Sequence, residues 1–174
     1  MTPPSPYRIS PVSAEEVPAI CALAREIWYQ HYPGIITVKQ IDYMLDQRYR
    51  PETILPQVES GEAWWDKLEI DRRLAGFAHF ELGSKPESIK LDKIYVHTRH
   101  RGIGYGTALL AHVEAAARSM SKRTLYLQVN KGNSNSIAVY RRNGFEVTDD
   151  VRTDIGGGFY MDDYVMEKNV RREA

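Results

Sequence analysis

This chain of 174 residues has few of the features that mark secreted, membrane or metal-binding proteins. Its single cysteine, Cys21, excludes an internal disulfide and a cysteine-rich zinc module. No stretch of about 18 apolar residues is present, so we expect no membrane-spanning helix and no membrane partner. The five histidines do not have the spacing of metal ligands, and we therefore expect no bound metal.

The charge balance is also uninformative for most binding partners. The 23 basic and 23 acidic residues cancel, which makes a broad basic surface for nucleic acid unexpected.

The Pro/Ser-rich segment 1–6 has neither the basic nor the apolar region of a targeting peptide, so we expect a cytoplasmic protein. The sequence predicts a flexible tail at 1–6, one domain at 7–168 and a C-terminal tail at 169–174.

Hydrophobic periodicity predicts a mixed α/β fold. Strands are expected near residues 7–9, 62–70, 74–82, 88–96, 124–129, 145–151 and 159–166. Helices are expected from Ser13 to about residue 31, from Thr37, in a short piece between Pro51 and Gly61, and over 104–120 and 133–143. This order, β-αα-βββ-α-β-α-ββ, is typical of a mixed sheet covered by helices.

A glycine-rich turn lies between the fourth predicted strand and the following helix, over 101–107. Such a turn exposes main-chain N–H groups at a helix N-terminus, and glycines let the backbone approach a phosphate closely. A Walker loop is excluded because the chain has no Gly-Lys-Ser/Thr, and a Rossmann loop is excluded because Thr107 and Leu109 stand where it needs glycine. The pattern that fits is Arg-x-x-Gly-x-Gly, formed by Arg101, Gly104 and Gly106.

A second pattern follows in the next strand and helix. It consists of Asn133, Ser136, Tyr140, Gly144 and Phe145. With the glycine turn, it resembles the GNAT superfamily of acetyl-CoA-dependent N-acetyltransferases. The resemblance implies a mostly antiparallel mixed sheet of about seven strands, splayed between strands 4 and 5 and flanked by about four helices.

The resemblance further implies acetyl-CoA as the co-substrate. Backbone groups of Ile94 and Val96 would hold the pantetheine arm and the acetyl carbonyl, and Asn133 would either bind the coenzyme or cap its helix. The full set of implied coenzyme-binding residues is Ile94, Tyr95, Val96, Arg101, Gly102, Ile103, Gly104, Tyr105, Gly106, Thr107, Asn133, Ser136 and Tyr140.

The chemistry is acyl transfer from a thioester to an amine. An alkylamine with a pKa near 10.4 costs about 4.6 kcal/mol to deprotonate at pH 7, so the site needs a base or a water chain. Asp92 and Glu81, on neighbouring predicted strands, are the candidate bases. Tyr140 occupies the family position that often supplies the acid for the leaving thiolate, and a phenol keeps its proton at pH 7.

The acceptor is predicted from two aromatic stretches. Trp28 and Tyr32 lie in the stretch 28–37 between the first two helices, while Asp162 and Asp163 lie among aromatic residues on the last strand. Rings and acids together favour a cationic amine, and these stretches resemble bacterial polyamine acetyltransferases. Acetylation of a protein N-terminus or lysine, and a non-catalytic acyl-CoA sensor, stay open as alternatives, as does a homodimer.

Overall fold

The computed structural model describes residues 2–171, and this part of the chain contains seven strands and five α-helices. The strands are β1 Tyr7–Pro11, β2 Ala63–Ile70, β3 Arg73–Leu82, β4 Ser88–Val96, β5 Thr124–Asn130, β6 Glu146–Gly156 and β7 Phe159–Asn169. The helices are α1 Val17–His31, α2 Val38–Arg48, α3 Pro51–Glu59, α4 Tyr105–Ser119 and α5 Ser134–Arg142. Short 3-10 helices at Ala14–Glu16 and Thr98–His100 precede α1 and α4.

The strands form one mixed sheet in the order β1-β2-β3-β4-β5-β7-β6. β4 and β5 pair in parallel, and their register matches Ser88–Leu91 with Thr124–Leu127. The pairs β1–β2, β2–β3, β5–β7 and β6–β7 are antiparallel. The predicted fold class is confirmed, with five α-helices where the family resemblance implied about four.

The chain forms two compact units. The first comprises the residues up to Glu81 together with Lys93–Val113, and the second comprises Leu82–Asp92 together with the residues from Glu114 onward. β4 is therefore divided between them. The prediction of a single domain at 7–168 with tails at 1–6 and 169–174 stays a prediction, and Met1 and residues 172–174 lie outside the described part.

The core of the first unit is built from helical stripes that the sequence predicts. The apolar face of α1 is buried, and so is that of α2. The buried residues on these faces are Val17, Ile20, Leu23, Ala24, Ile27 and Trp28 on α1, and Ile41, Met44 and Leu45 on α2. Ser13 is the N-cap, as the sequence predicts, but the first turn after it is a 3-10 helix whose Glu16 carboxylate accepts from the Ser13 N–H and hydroxyl. The α-helix itself begins at Val17.

The second unit contains a hairpin that is longer than its sequence predicts. β6 extends to Gly156 and β7 to Asn169, beyond the predicted ends at residues 151 and 166. β6 carries Asp149, Asp150 and Asp154, a residue type that is depleted in strands. Pairing along the whole of β7 outweighs this local preference.

In the described part of the chain, no helix has both the length and the apolar character needed to cross a membrane.

Gly76 on β3 marks a close approach between β3 and the end of β4. A Cβ atom at this position would lie 2.5 Å from the Tyr95 carbonyl oxygen and 3.3 Å from the Val96 Cα. Both contacts are with backbone, which cannot swing away as a flexible side chain can. Glycine at position 76 thus fixes where the last residues of β4 run.

Gly76→Ala is expected to lower the free energy of unfolding by about 1–3 kcal/mol, because the strand must move to relieve overpacking. The same movement shifts Tyr95 and Val96, so the KM for acetyl-CoA should rise as well. Denaturant unfolding and steady-state kinetics test this. An alanine variant with wild-type stability would contradict the close approach of these strands.

Candidate active site

The turn that leads into α4 has a backbone conformation that depends on glycine. Gly102 has φ +75° and Gly104 has φ +100°, both in the region that L side chains rarely adopt. The first helical bond runs from the Ala108 N–H to the Gly104 carbonyl, at 3.0 Å. The N–H groups of Gly104–Thr107 therefore have no acceptor within the helix, so the start of α4 has the geometry that an anion-binding site requires.

The side chains around this turn leave the main chain accessible. The Tyr105 side chain is directed into the protein interior, with 1% of its surface exposed, and its hydroxyl contacts the backbone of Ser5. Tyr105 can therefore serve a coenzyme only through its amide group. Gly106 has open space where a Cβ would lie, and Thr107 is exposed.

The end of β4 is tied to the turn and to β3. The Val96 carbonyl accepts from Nε of Arg101 at 3.0 Å, and the His97 N–H donates to the Ala75 carbonyl at 2.8 Å. Partial burial lowers the pKa of Arg101, while the nearby phenols of Tyr32 and Tyr95 raise it. Arg101 thus lies close to the side chains at the end of α1.

An aromatic cluster surrounds the last turn of α1. The Trp28 ring lies 4.4 Å from the Tyr32 ring and 6.0 Å from the Tyr95 ring, measured between centroids. The Tyr32 and Tyr95 hydroxyls are 2.9 Å apart and share a hydrogen bond. The buried Trp28 indole N–H has no hydrogen-bond partner among the described residues. The structure therefore joins Trp28 and Tyr32, predicted on the acceptor side, to Tyr95, predicted on the coenzyme side.

Beneath this cluster, a lysine that the sequence analysis did not single out is buried among aromatic rings. Lys93 is only 7% exposed, with Nζ 5.5 Å from the centre of the Tyr49 ring and 5.3 Å from that of Trp65. The same Nζ lies 3.5 Å from Nδ1 of the buried His79. The other imidazole nitrogen, Nε2, is 3.9 Å from the Glu81 carboxylate, so this candidate base has an ionisable neighbour.

In the second unit, α5 carries the other predicted coenzyme residues. Asn133 precedes the helix and is buried, yet its side chain makes no capping hydrogen bond. Of the two roles left open for Asn133, this arrangement favours coenzyme binding. Ser136 is half-buried, and so is Tyr140, whose ring meets that of Phe145 edge-on at 5.8 Å.

The remaining acids of the second unit have different environments. Asp162 is 60% exposed and pairs with Lys131 at 3.0 Å, whereas Asp163 is buried, with 1% exposed. The two side chains thus lie on opposite faces of β7, as alternation along a strand predicts. Asp92 is half-buried and lies 3.5 Å from the Lys90 ammonium group.

The comparisons with known proteins identify the family. Residues 21–145 match the family described as the Acetyltransferase (GNAT) family. The chain belongs to this family. It is therefore an acetyltransferase with acetyl-CoA as co-substrate, which confirms the predicted enzyme class and co-substrate.

Similarity to a curated relative extends over nearly the whole chain. The spermidine N(1)-acetyltransferase of Thermoplasma acidophilum is 27% identical over 165 residues, which cover 92% of this chain and 95% of the relative. A streptothricin acetyltransferase of Streptomyces lavendulae is 36% identical over 75 residues, 43% of this chain and 40% of the relative.

Solved structures share the fold of this GNAT protein. The PaiA N-acetyltransferase of Thermoplasma acidophilum, solved in complex with coenzyme A, matches with a TM-score of 0.82 and 24% identity over 94% of this chain and 99% of that one. The ribosomal-protein-S18-alanine N-acetyltransferase of Escherichia coli matches with a TM-score of 0.69 and 19% identity over 97% of each chain.

Gly102→Ala tests the conformation of the turn. A Cβ at position 102 meets no other atom, so alanine is unfavourable there only because of the left-handed backbone conformation, at about 1–2 kcal/mol. This free energy is lost from folding if the turn keeps its shape, and from CoA binding if the turn relaxes. Gly102→Asn is the matched control, because asparagine tolerates this conformation better. Thermal unfolding and calorimetric titration with CoA measure the two losses. Their sum should be larger for the alanine variant than for the asparagine variant, and equal sums would contradict the left-handed conformation of residue 102.

Proposed function

We propose that this GNAT enzyme acetylates a primary amine of a polyamine or a related small amine. The observation that carries the proposal is the similarity to a spermidine N(1)-acetyltransferase over 92% of the chain. No comparable share of the chain is matched by the streptothricin enzyme. A polyamine is a chain of methylenes with several ammonium groups, and the acceptor site must suit both.

The cluster at the end of α1 supports this acceptor class. The ring centroids of Trp28 and Tyr32 lie 4.4 Å apart, and Tyr95 adds a third ring beside Tyr32. Aromatic rings attract ammonium groups and also pack against methylenes. Because Asp162 already pairs with Lys131, we assign the attraction of the acceptor's charge mainly to these rings.

Three groups of the chain would move protons or stabilise charge. A main-chain N–H at Ile94 or Val96 would donate to the acetyl carbonyl oxygen as negative charge develops there. Asp92 or Glu81 would remove the proton of the attacking ammonium group, directly or through water, and Tyr140 would donate its proton to the leaving thiolate. The new N–C bond forms as the C–S bond breaks, and the acceptor nitrogen releases its second proton to solvent when the amide forms. The proton lost by Tyr140 returns from solvent.

The alternative acceptor is the amine of a protein N-terminus or of a lysine side chain. The Escherichia coli ribosomal-protein-alanine acetyltransferase shares this fold, so the architecture can serve a peptide. We favour the small amine because similarity at the level of sequence, along almost the entire chain, is to a spermidine enzyme.

An acceptor screen distinguishes these substrates. With acetyl-CoA and a thiol-release assay, spermidine and spermine are expected to give kcat/KM values at least about 10-fold above those of amino acids and short peptides, since the rings favour polycationic chains. A peptide that is turned over while both polyamines are inert would refute the proposed acceptor class.

Tyr140→Phe is expected to lower kcat about 100-fold, with the KM for acetyl-CoA changed less than about threefold, because only the transferable proton is removed. Tyr160→Phe is the control, since Tyr160 is an exposed phenol near the tip of the β6–β7 hairpin. Steady-state kinetics measure both variants. Wild-type turnover in Tyr140→Phe would remove this residue from the mechanism.

A further inference from the structure

Three side chains of α1 contact the segment that connects β4 to α4. The His97 Nε2 and Glu26 Oε1 atoms are 2.8 Å apart, and the Thr98 hydroxyl donates to Gln30 Oε1 at 2.7 Å. The third contact joins a terminal guanidinium nitrogen of Arg101 to His31 Nδ1, at 2.9 Å. Residues 26, 30 and 31 lie on neighbouring turns of one helix, so α1 contacts the segment 97–101 at both of its ends.

The orientation of His97 is set by the same network. Its Nδ1 atom accepts from the Arg99 N–H at 3.2 Å, which places the imidazole proton on Nε2, facing Glu26. This hydrogen bond lowers the pKa of Glu26, so the carboxylate form of that residue is the one in the contact. His97 itself is buried. The segment therefore begins at a residue whose side chain is hydrogen-bonded to Glu26 and whose main-chain N–H is hydrogen-bonded to Ala75.

Arg101 ends the segment, and two of its five N–H donors are directed at neutral acceptors. Nε donates to the Val96 carbonyl at 3.0 Å, and a terminal nitrogen meets the imidazole of His31. Because the guanidinium is planar and rigid, two bonds in different directions fix its plane. Neither acceptor requires a positive charge on the donor.

We propose that Arg101 is a positioning residue, whose guanidinium holds the coenzyme-binding turn against β4 and α1, while the main-chain amides of the turn bind the diphosphate. The proposal rests on the diphosphate site assigned to residues 101–107. It separates two roles that an arginine in this pattern could have, a hydrogen-bonded support or a charge that neutralises phosphate.

Two substitutions separate these roles by covalent geometry. In glutamine, Nε2 is attached at the same distance along the side chain as Nε of arginine, so Arg101→Gln can restore the bond to Val96 without any charge. In lysine, a methylene occupies that place and the charge lies one atom further out, so Arg101→Lys keeps the charge and loses this bond.

Calorimetric titration with CoA at several salt concentrations decides between them. If Arg101 positions the turn, Arg101→Gln binds more tightly than Arg101→Lys, which loses about 2-fold to 10-fold in affinity, the worth of one hydrogen bond. Because a charge that does not contact the ligand is screened by salt, Arg101→Gln should approach wild-type affinity at about 1 M salt, whereas the loss in Arg101→Lys persists. Tighter binding by Arg101→Lys, or a loss in Arg101→Gln that persists at high salt, would overturn the proposal.

A double-mutant cycle gives a second readout. His31→Ala should weaken CoA binding in the wild type but not in an Arg101→Ala background, because the partner of His31 is then absent. Additive effects of the two substitutions would contradict the support role. If the folded wild-type protein itself fails to bind CoA, the proposed diphosphate site is wrong, and that result is distinct from a reversed order of the variants.

Discussion

The N–H groups at the start of α4 have no carbonyl partners within their helix, and Gly102 and Gly104, both with positive φ, set the conformation of the preceding turn. An anion with several oxygens can satisfy such donors together, and the helix dipole adds to the attraction. Side chains around the turn are arranged to leave these amides accessible, as the inward direction of Tyr105 illustrates. We propose that binding of the coenzyme, and so delivery of its thioester, depends on these amides.

The end of α1 lies beside this turn and also carries the aromatic rings that we assign to the acceptor. Its last turn carries His31, which meets Arg101 of the coenzyme turn, and Tyr32, which bonds to Tyr95 on β4. Trp28 packs against both tyrosines. We therefore propose that this one helix both supports the coenzyme-binding turn and carries rings of the acceptor site.

Sequence patterns predict the parts of this site that are local along the chain. The turn at 101–107, the helix after Asn133 and the buried stripe of α1 all follow from spacing within a few residues. The burial of Lys93 beside His79 and the contact of His31 with Arg101 do not follow from local spacing, since these partners are 14 and 70 positions apart in the chain. One signal was present: Lys93 interrupts an otherwise apolar alternation with Leu91 and Tyr95, and a charge there requires special surroundings.

The most direct measurement compares the calorimetric titration of the folded protein with CoA and with pantetheine, which lacks the diphosphate. The account predicts saturable binding of one CoA per chain and binding of pantetheine that is weaker by at least about 100-fold, since several charge-assisted hydrogen bonds are lost. Equal affinity for the two ligands, or no saturable binding of CoA by a natively folded sample, would contradict it.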